Sequence, residues 1–356
     1  MRILLFAALV LPAMAAGQNP APRWSELNTE GIRLVRIGDY AGAESKFRAA
    51  LLEAQNIFEE RDFRLSANLS NLALVRQEQG DFNEAEKIYR RVLQLREKYL
   101  PANSVETAST LNNLGSVLHS AARDQEADPL LRRAILIAEE ARDDRVLAAS
   151  LNTLGLTLSG QGEAARAEPV LRRALALFDK IGGPESIDVG KTLNNLAALY
   201  SSENDFANAE NCARRALPIY EKNLPPGHPL IGAALNNLFV ILGSQKRYGE
   251  GEPYLRRALQ ISERAAPDGL RTQQMRGNLA ALEESRGNWQ TAADLLQKVI
   301  AAEERALGPN HPSLAVTLGN YSEALKHLNH KQEAKEAERR ANAIAKSFRP
   351  PSEPRP

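Results

Sequence analysis

A block of about 42 residues recurs eight times along the chain, and that period restricts the fold more than any single residue does. Leu69-Ser-Asn-Leu-Ala73 is followed by Leu111-Asn-Asn-Leu-Gly115, Leu151-Asn-Thr-Leu-Gly155, Leu193-Asn-Asn-Leu-Ala197 and Leu235-Asn-Asn-Leu-Phe239. The leading leucine steps by 42, 40, 42 and 42 residues, and looser copies stand at Leu27 to Gly31, Arg276 to Ala280 and Leu318 to Ser322. A unit this short cannot enclose a core of its own. It buries its apolar face against the copies before and after it, which makes a solenoid. The 43% apolar residues of this 356-residue chain are then spread along an axis instead of gathered into globular domains.

Each unit reads as two helices. In the third copy Leu111, Leu114, Val117 and Leu118 form one helical stripe, and Ala127, Leu131, Ala134 and Ile135 form a second. Tight turns separate them: Gly80-Asp-Phe82, Gly162-Glu-Ala164, Asn204-Asp-Phe206 and Gly287-Asn-Trp289, where Gly and Asn tolerate the left-handed backbone that ends a helix. Pro/Gly-rich links such as Leu224-Pro-Pro-Gly-His-Pro229 and Leu307-Gly-Pro-Asn-His-Pro312 join the units. Two positions stay small. The last residue of the block is Gly31, Ala73, Gly115, Gly155, Ala197 or Ala280, and its partner on the second helix is Ala43, Ala85, Ala127, Ala167, Ala209 or Ala292. Repeat six breaks the first rule with Phe239 and answers it with Gly251, which keeps the local volume tolerable.

The small-residue pairs, the Gly-Asp-Phe turn and the Arg-Arg-Ala-Leu of the second helices resemble the tetratricopeptide repeat family. The 42-residue period and the Gly-His-Pro and Gly-Pro-Asn-His-Pro links resemble the longer repeats of kinesin light chains. The resemblance covers roughly Trp24 to Lys346 and implies an all-α fold: a right-handed α-α superhelical solenoid of about eight helix-turn-helix hairpins. Thr29 for Asn, Arg276 for the leading Leu and Lys331 for the turn aromatic are departures in the end copies, which must face water on one side.

At 100° per residue, the positions two before, two after, five after and nine after the leading Leu fall within about 60° of one another. In the family this face lines the concave groove. It gives Ser109, Asn113, Ser116 and Ser120 in repeat three, Lys191, Asn195, Ala198 and Ser202 in repeat five, and Ala233, Asn237, Val240 and Ser244 in repeat six. Repeat seven supplies Gln274, Asn278, Ala281 and Ser285. Asn71, Asn113, Asn195, Asn237, Asn278 and Asn320 share one position, with Thr153 interrupting the row. An amide carries both a donor and an acceptor. Such a ladder either pairs with the backbone of an extended peptide or ties neighbouring repeats together, and one amide can do both. The clamp that some family members use for a chaperone's C-terminal carboxylate is met by Lys191, Asn195 and Asn237 but not by Gln274 and Asn278.

Other chemistry finds little footing. The chain has no Gly-x-Ser-x-Gly, no phosphate loop and no Cys/His pairing, so neither catalysis nor a cofactor is expected. Of the five histidines, His119 included, His228 and His311 recur in equivalent links and read as a loop motif. His327 and His330 with Glu323 are the one metal-compatible set, in a capping repeat where solvent-facing side chains are usual. Cys212 aligns with Ile88, Leu130, Val170, Tyr254 and Leu295, so it reads as a small core residue, and a single cysteine excludes an internal disulfide. With 45 basic and 44 acidic residues, net charge +1 and 5% aromatics, nothing marks a nucleic-acid surface. The pairs Arg90-Arg91, Arg132-Arg133, Arg172-Arg173, Arg214-Arg215 and Arg256-Arg257 read as solvated partners of nearby Glu, or as a site for an acidic partner.

Met1-Arg2, the apolar run Ile3 to Leu11 and Pro12-Ala-Met-Ala-Ala16 read as an export signal over 1–17, cut near Ala15 to Gly17. The run is too short for a spanning helix. A linker follows over 18–23 and then the solenoid over 24–346. Its repeats lie near 24–61, 62–103, 104–143, 144–185, 186–227, 228–267, 268–309 and 310–346. The tail over 347–356 is Pro-rich and disordered. The expected protein is an exported, periplasmic or secreted, non-enzymatic scaffold, monomeric or weakly self-associating, holding an extended peptide or helix of a partner protein. The alternative is a self-assembling structural protein of the cell envelope.

Overall fold

Gly or Asn ending one helix and Asp opening the next makes a turn self-sufficient in hydrogen bonds, and three hairpin turns of the computed structural model are built in this way. The structure describes residues 22–347 apart from 266 and 268. The expected signal over 1–17 and nearly all of the tail over 347–356 lie outside the described residues. At the eight hairpin turns one residue takes positive φ: Gly38, Gly80, Ala122, Gly162, Asn204, Lys246, Gly287 and Asn329. Asp39, Asp81 and Asp205 come next and cap the following helix through their carboxylates. Ala122 and Lys246 carry the same backbone with a Cβ, which left-handed geometry disfavours.

The described residues form sixteen α-helices and no strand. Two compact units divide the chain, Met1–Leu230 and Ile231–Pro356. The first holds the hairpins α1 (Pro22–Ile37) with α2 (Tyr40–Ile57), α3 (Phe63–Gln79) with α4 (Phe82–Tyr99), and α5 (Val105–Ser120) with α6 (Asp124–Glu140). Two more complete it, α7 (Asp144–Gly160) with α8 (Ala164–Gly182) and α9 (Ile187–Ser202) with α10 (Phe206–Asn223). The second holds α11 (Pro229–Ser244) from Ile231 onward with α12 (Tyr248–Ala265), then α13 (Leu270–Ser285) with α14 (Trp289–Leu307), and α15 (Pro312–His327) with α16 (Lys331–Ser347).

In the first unit successive helices pack in chain order, and the first helices α1, α3, α5, α7 and α9 also touch one another. A first helix is therefore covered on more sides than a single apolar stripe implies. Every residue from Leu147 to Leu158 of α7 is buried. Serine and threonine survive there by bonding back along their own helix, Ser70 Oγ to Ser66 O at 2.8 Å and Thr157 Oγ1 to Thr153 O at 3.0 Å. The second helices bury one face only; in α6 that face is Ala127, Leu131, Ala134, Ile137 and Ala138.

The small-residue pairs sit where the helices of a hairpin meet, and Ala43, Ala85, Ala127, Ala167, Ala209 and Ala292 are fully buried. The tightest contact, however, is to the residue four beyond the alanine. A Cβ on Gly155 would lie 2.5 Å from Leu171 Cγ, and one on Gly115 2.7 Å from Leu131 Cγ. Repeat six inverts the arrangement: a Cβ on Gly251 would lie 3.1 Å from Phe239 Cδ2. Gly251→Leu is expected to destabilise the protein by about 1–3 kcal/mol through overpacking. Denaturant unfolding reads this, and an unchanged midpoint would show that Phe239 has room to move aside.

Candidate inner-face binding site

The asparagine row is built from the first helices outward. In repeat five the amide of Asn195 is almost fully buried, and its Nδ2 donates to Asn152 Oδ1 of the preceding repeat at 3.1 Å. The same rung recurs from Asn71 to Asn28 at 3.3 Å and from Asn278 to Asn236 at 2.9 Å. Thr153, which breaks the row, keeps the function: its hydroxyl donates to Asn112 Oδ1 at 2.9 Å. Gln77 adds a link from α3 to Ser116 at 2.7 Å. The acceptors Asn28, Asn112, Asn152 and Asn236 are residues that reasoning on the groove face passes over. Their signal lay in the Asn that follows the leading leucine in these four repeats, one position before the row itself.

Each expected groove residue of the first unit has a definite place. Asn71, Asn113, Ser116 and Asn195 are buried between first helices, not displayed on a surface. The physical reason is the close approach of neighbouring first helices, which closes over the positions two and five beyond the leading leucine. Ser109 is half-buried, and Ser202 is exposed with its hydroxyl turned onto Leu199 O at 2.7 Å. Lys191 lies 3.6 Å from Asp188 and its side chain is 19% exposed. Of the carboxylate-clamp pair in this unit, Asn195 is thus already engaged by Asn152.

The second unit differs. Asn237 is buried, but Ala233, Val240, Gln274 and Asn278 are half-buried, and Ser244, Ala281, Ser285 and Asn320 are exposed. Val316 on α15 is 68% exposed. The reason is local: the acceptor position of the rung is Gly277 in repeat seven and Gly319 in repeat eight, and a side chain at either would meet open space. Asn320 therefore faces a glycine where Asn71, Thr153, Asn195 and Asn278 meet an amide. Arg276, standing for the leading leucine, turns its guanidinium to Glu263 at 2.7 Å and so leaves the core.

Most arginines of the outer-face pairs are already engaged. The first arginine of each pair binds the acid one turn earlier, as in Arg132 with Asp128 at 3.0 Å and Arg214 with Glu210 at 2.7 Å. The second reaches back a repeat: Arg91 pairs with Glu60, Arg133 with Glu97 at 2.6 Å, and Arg173 with Glu139 at 2.7 Å. These are exposed pairs worth about 0–1 kcal/mol each. Between Arg286 and Arg256, whose hydrogen bonds it accepts, the Glu252 carboxyl is driven down to about 2.

The histidines have structural employment. His228 and His311 open α11 and α15, their Nδ1 atoms accepting the backbone N–H of Leu230 at 3.1 Å and of Ser313 at 3.2 Å. His119 meets Asp124 at 2.5 Å. His327 lies flat on Trp289 with ring centroids 3.7 Å apart, and His330 is 3.4 Å from Glu333. Among the described residues no three His, Cys, Asp or Glu converge as metal ligands, and no helix is long and apolar enough to cross a membrane. Cys212 is buried, and that burial pushes its thiol pKa up.

The family model of the tetratricopeptide repeat matches residues 28–98, 63–140, 145–222, 230–302 and 271–347. The chain belongs to the tetratricopeptide repeat family. A Rap protein complexed with competence and sporulation factor is similar in fold, with a TM-score of 0.60 at 15% identity over 92% of this chain and 99% of that one. The apo form of the quorum sensor NprR from B. thuringiensis gives 0.61 at 10% identity over 91% of this chain and 86% of that one. A putative kinesin light chain with nearly identical repeats, from Podosopora anserina, gives 0.35 at 20% identity over 69% of this chain and 99% of that one. No curated protein matches the sequence.

The rung makes a stability prediction. Removing the Asn195 amide strands Asn152 Oδ1 in a buried site, so Asn195→Ala is expected to cost about 1–3 kcal/mol. Thermal unfolding checks it, with Asn320→Ala, which is exposed, as the variant that leaves the melting temperature in place.

Proposed function

We propose that the chain is a non-enzymatic protein–protein interaction scaffold that holds an extended peptide or a helix of a partner protein on the inner face of its second unit. The observation that carries this reading is the open amide and small-residue face of α11, α13 and α15. Gln274 and Asn320 offer donors and acceptors there and Asn278, whose Nδ2 is committed to Asn236, adds its Oδ1 as an acceptor, while Ala233, Ala281, Gly277 and Gly319 let a backbone approach. Val240 and Val316 supply apolar contact. The corresponding amides of the first unit stabilise the stack and leave little for a ligand. That a Rap protein of similar fold is complexed with competence and sporulation factor is in keeping with a binding role.

A photo-crosslinking side chain placed at Ser285 or Asn320 is expected to trap a partner in the native cell, while the same group at Leu136, exposed on α6, traps none. Gln274→Ala with Asn320→Ala then weakens the captured complex about tenfold, the scale of two lost hydrogen bonds. Adducts from Leu136 alone would move the site to the outer face.

Export belongs to the same proposal, resting on Met1-Arg2, the apolar run to Leu11 and the small residues at Ala15 and Ala16. The intact mass of the protein purified from its own cells is expected to begin between Ala16 and Gln18. A mass that includes Met1 to Leu11 would remove the signal from the account.

A further inference from the structure

The second arginine of each outer-face pair holds a carboxylate from the preceding repeat in three successive hairpins, through Arg91, Arg133 and Arg173. Arg215 of α10 occupies the next place in that series, and among the described residues it makes no ion pair. The cause is one methylene. Glu97 and Glu139 each stand six residues beyond the second arginine of their own helix, and the residue at that place in α8 is Asp179. Its side chain is too short to repeat the reach of Glu139 to Arg173.

Beside Arg215 an open cleft of about 490 Å³ runs between the link after α8 and the outer face of α10, with Pro184, Pro218 and Ile219 as its apolar walls. Lys222 stands at its far end, already paired with Glu185. The charged groups lining the cleft are Arg215, Lys222 and Glu185, and of these Arg215 has no ion-pair partner among the described residues.

We propose that this cleft is a second binding site, distinct from the inner face, for an acidic segment of a partner protein in which a glutamate is flanked by an aliphatic residue. The carboxylate pairs with Arg215, as Glu139 pairs with Arg173, and the aliphatic neighbour lies on Pro218 and Ile219. The complementarity is of both kinds at once, because Arg215 is without an ion pair among the described residues and the walls beside it are apolar.

The test uses the whole chain and a fluorescent, end-blocked pentapeptide of alternating Glu and Leu, followed by anisotropy at low ionic strength. Binding is expected, weakening as salt rises. Arg215→Gln is expected to lower affinity roughly fivefold, the scale of one exposed charged pair. Asp179→Glu, which restores the chain's own carboxylate to the rung, is expected to do the same without removing any positive charge. Arg133→Gln on a filled rung leaves binding as it was. Three outcomes overturn the proposal: equal binding of the Gln–Leu peptide, indifference to Asp179→Glu, or equal competition by inorganic phosphate, which would show a generic anion site. None of these bears on Asn320 or Ser285, so the inner-face reading stands or falls separately.

Discussion

Everything else in the structure depends on the burial of the first helices between their neighbours. A helix covered on several sides has no water to satisfy its polar groups, so each must find a partner within the stack. The amide rung is the solution here, since it joins adjacent repeats by one directional bond while the hydroxyls of Ser70, Thr110 and Thr157 bond back along their own helices. Shape and polarity are thereby settled together. A repeat that slid along its neighbour would lose the apolar contacts of its leucines and leave an Asn buried without its partner.

The same rung decides where a ligand can be held. An amide that ties two helices is a poor ligand group, because its donor is committed and its surface is covered. Where Gly277 replaces the acceptor, Asn320 comes free, and the neighbouring positions are small or exposed as well. On the proposed binding role, stacking and ligand holding thus compete for the same amides.

Much of this was legible in the sequence. The period, the turn residues and the Phe239–Gly251 exchange are local or repeat in register, so pattern alone carries them. Cys212 was legible from its aligned neighbours. Less legible was which side of a first helix stays open, because that depends on how closely the next first helix approaches, a quantity set by residues some forty positions away. The angular argument placed Asn113 and Asn195 beside the buried stripe, where the closing of the neighbouring helix then covers them. The His-Pro links were read as a loop motif, and their use of Nδ1 as a helix cap could be inferred only from backbone direction. The reach of Arg133 and Arg173 across repeats was hidden for the same reason as the rungs.

The rung also has a sense of direction, and direction bears on how such a chain can change in length. Each repeat offers an acceptor to its successor and a donor to its predecessor, so a duplicated copy fits only if it carries both. Repeats four and six own the acceptors Asn152 and Asn236, and a tandem copy of either would find its place in the series. Repeats seven and eight present Gly277 and Gly319 instead, and a unit appended after them would meet no acceptor. A duplicated interior repeat would thus keep the bond on both sides, whereas a copy of repeat seven or eight would stack without it, as repeat eight already does behind Gly277.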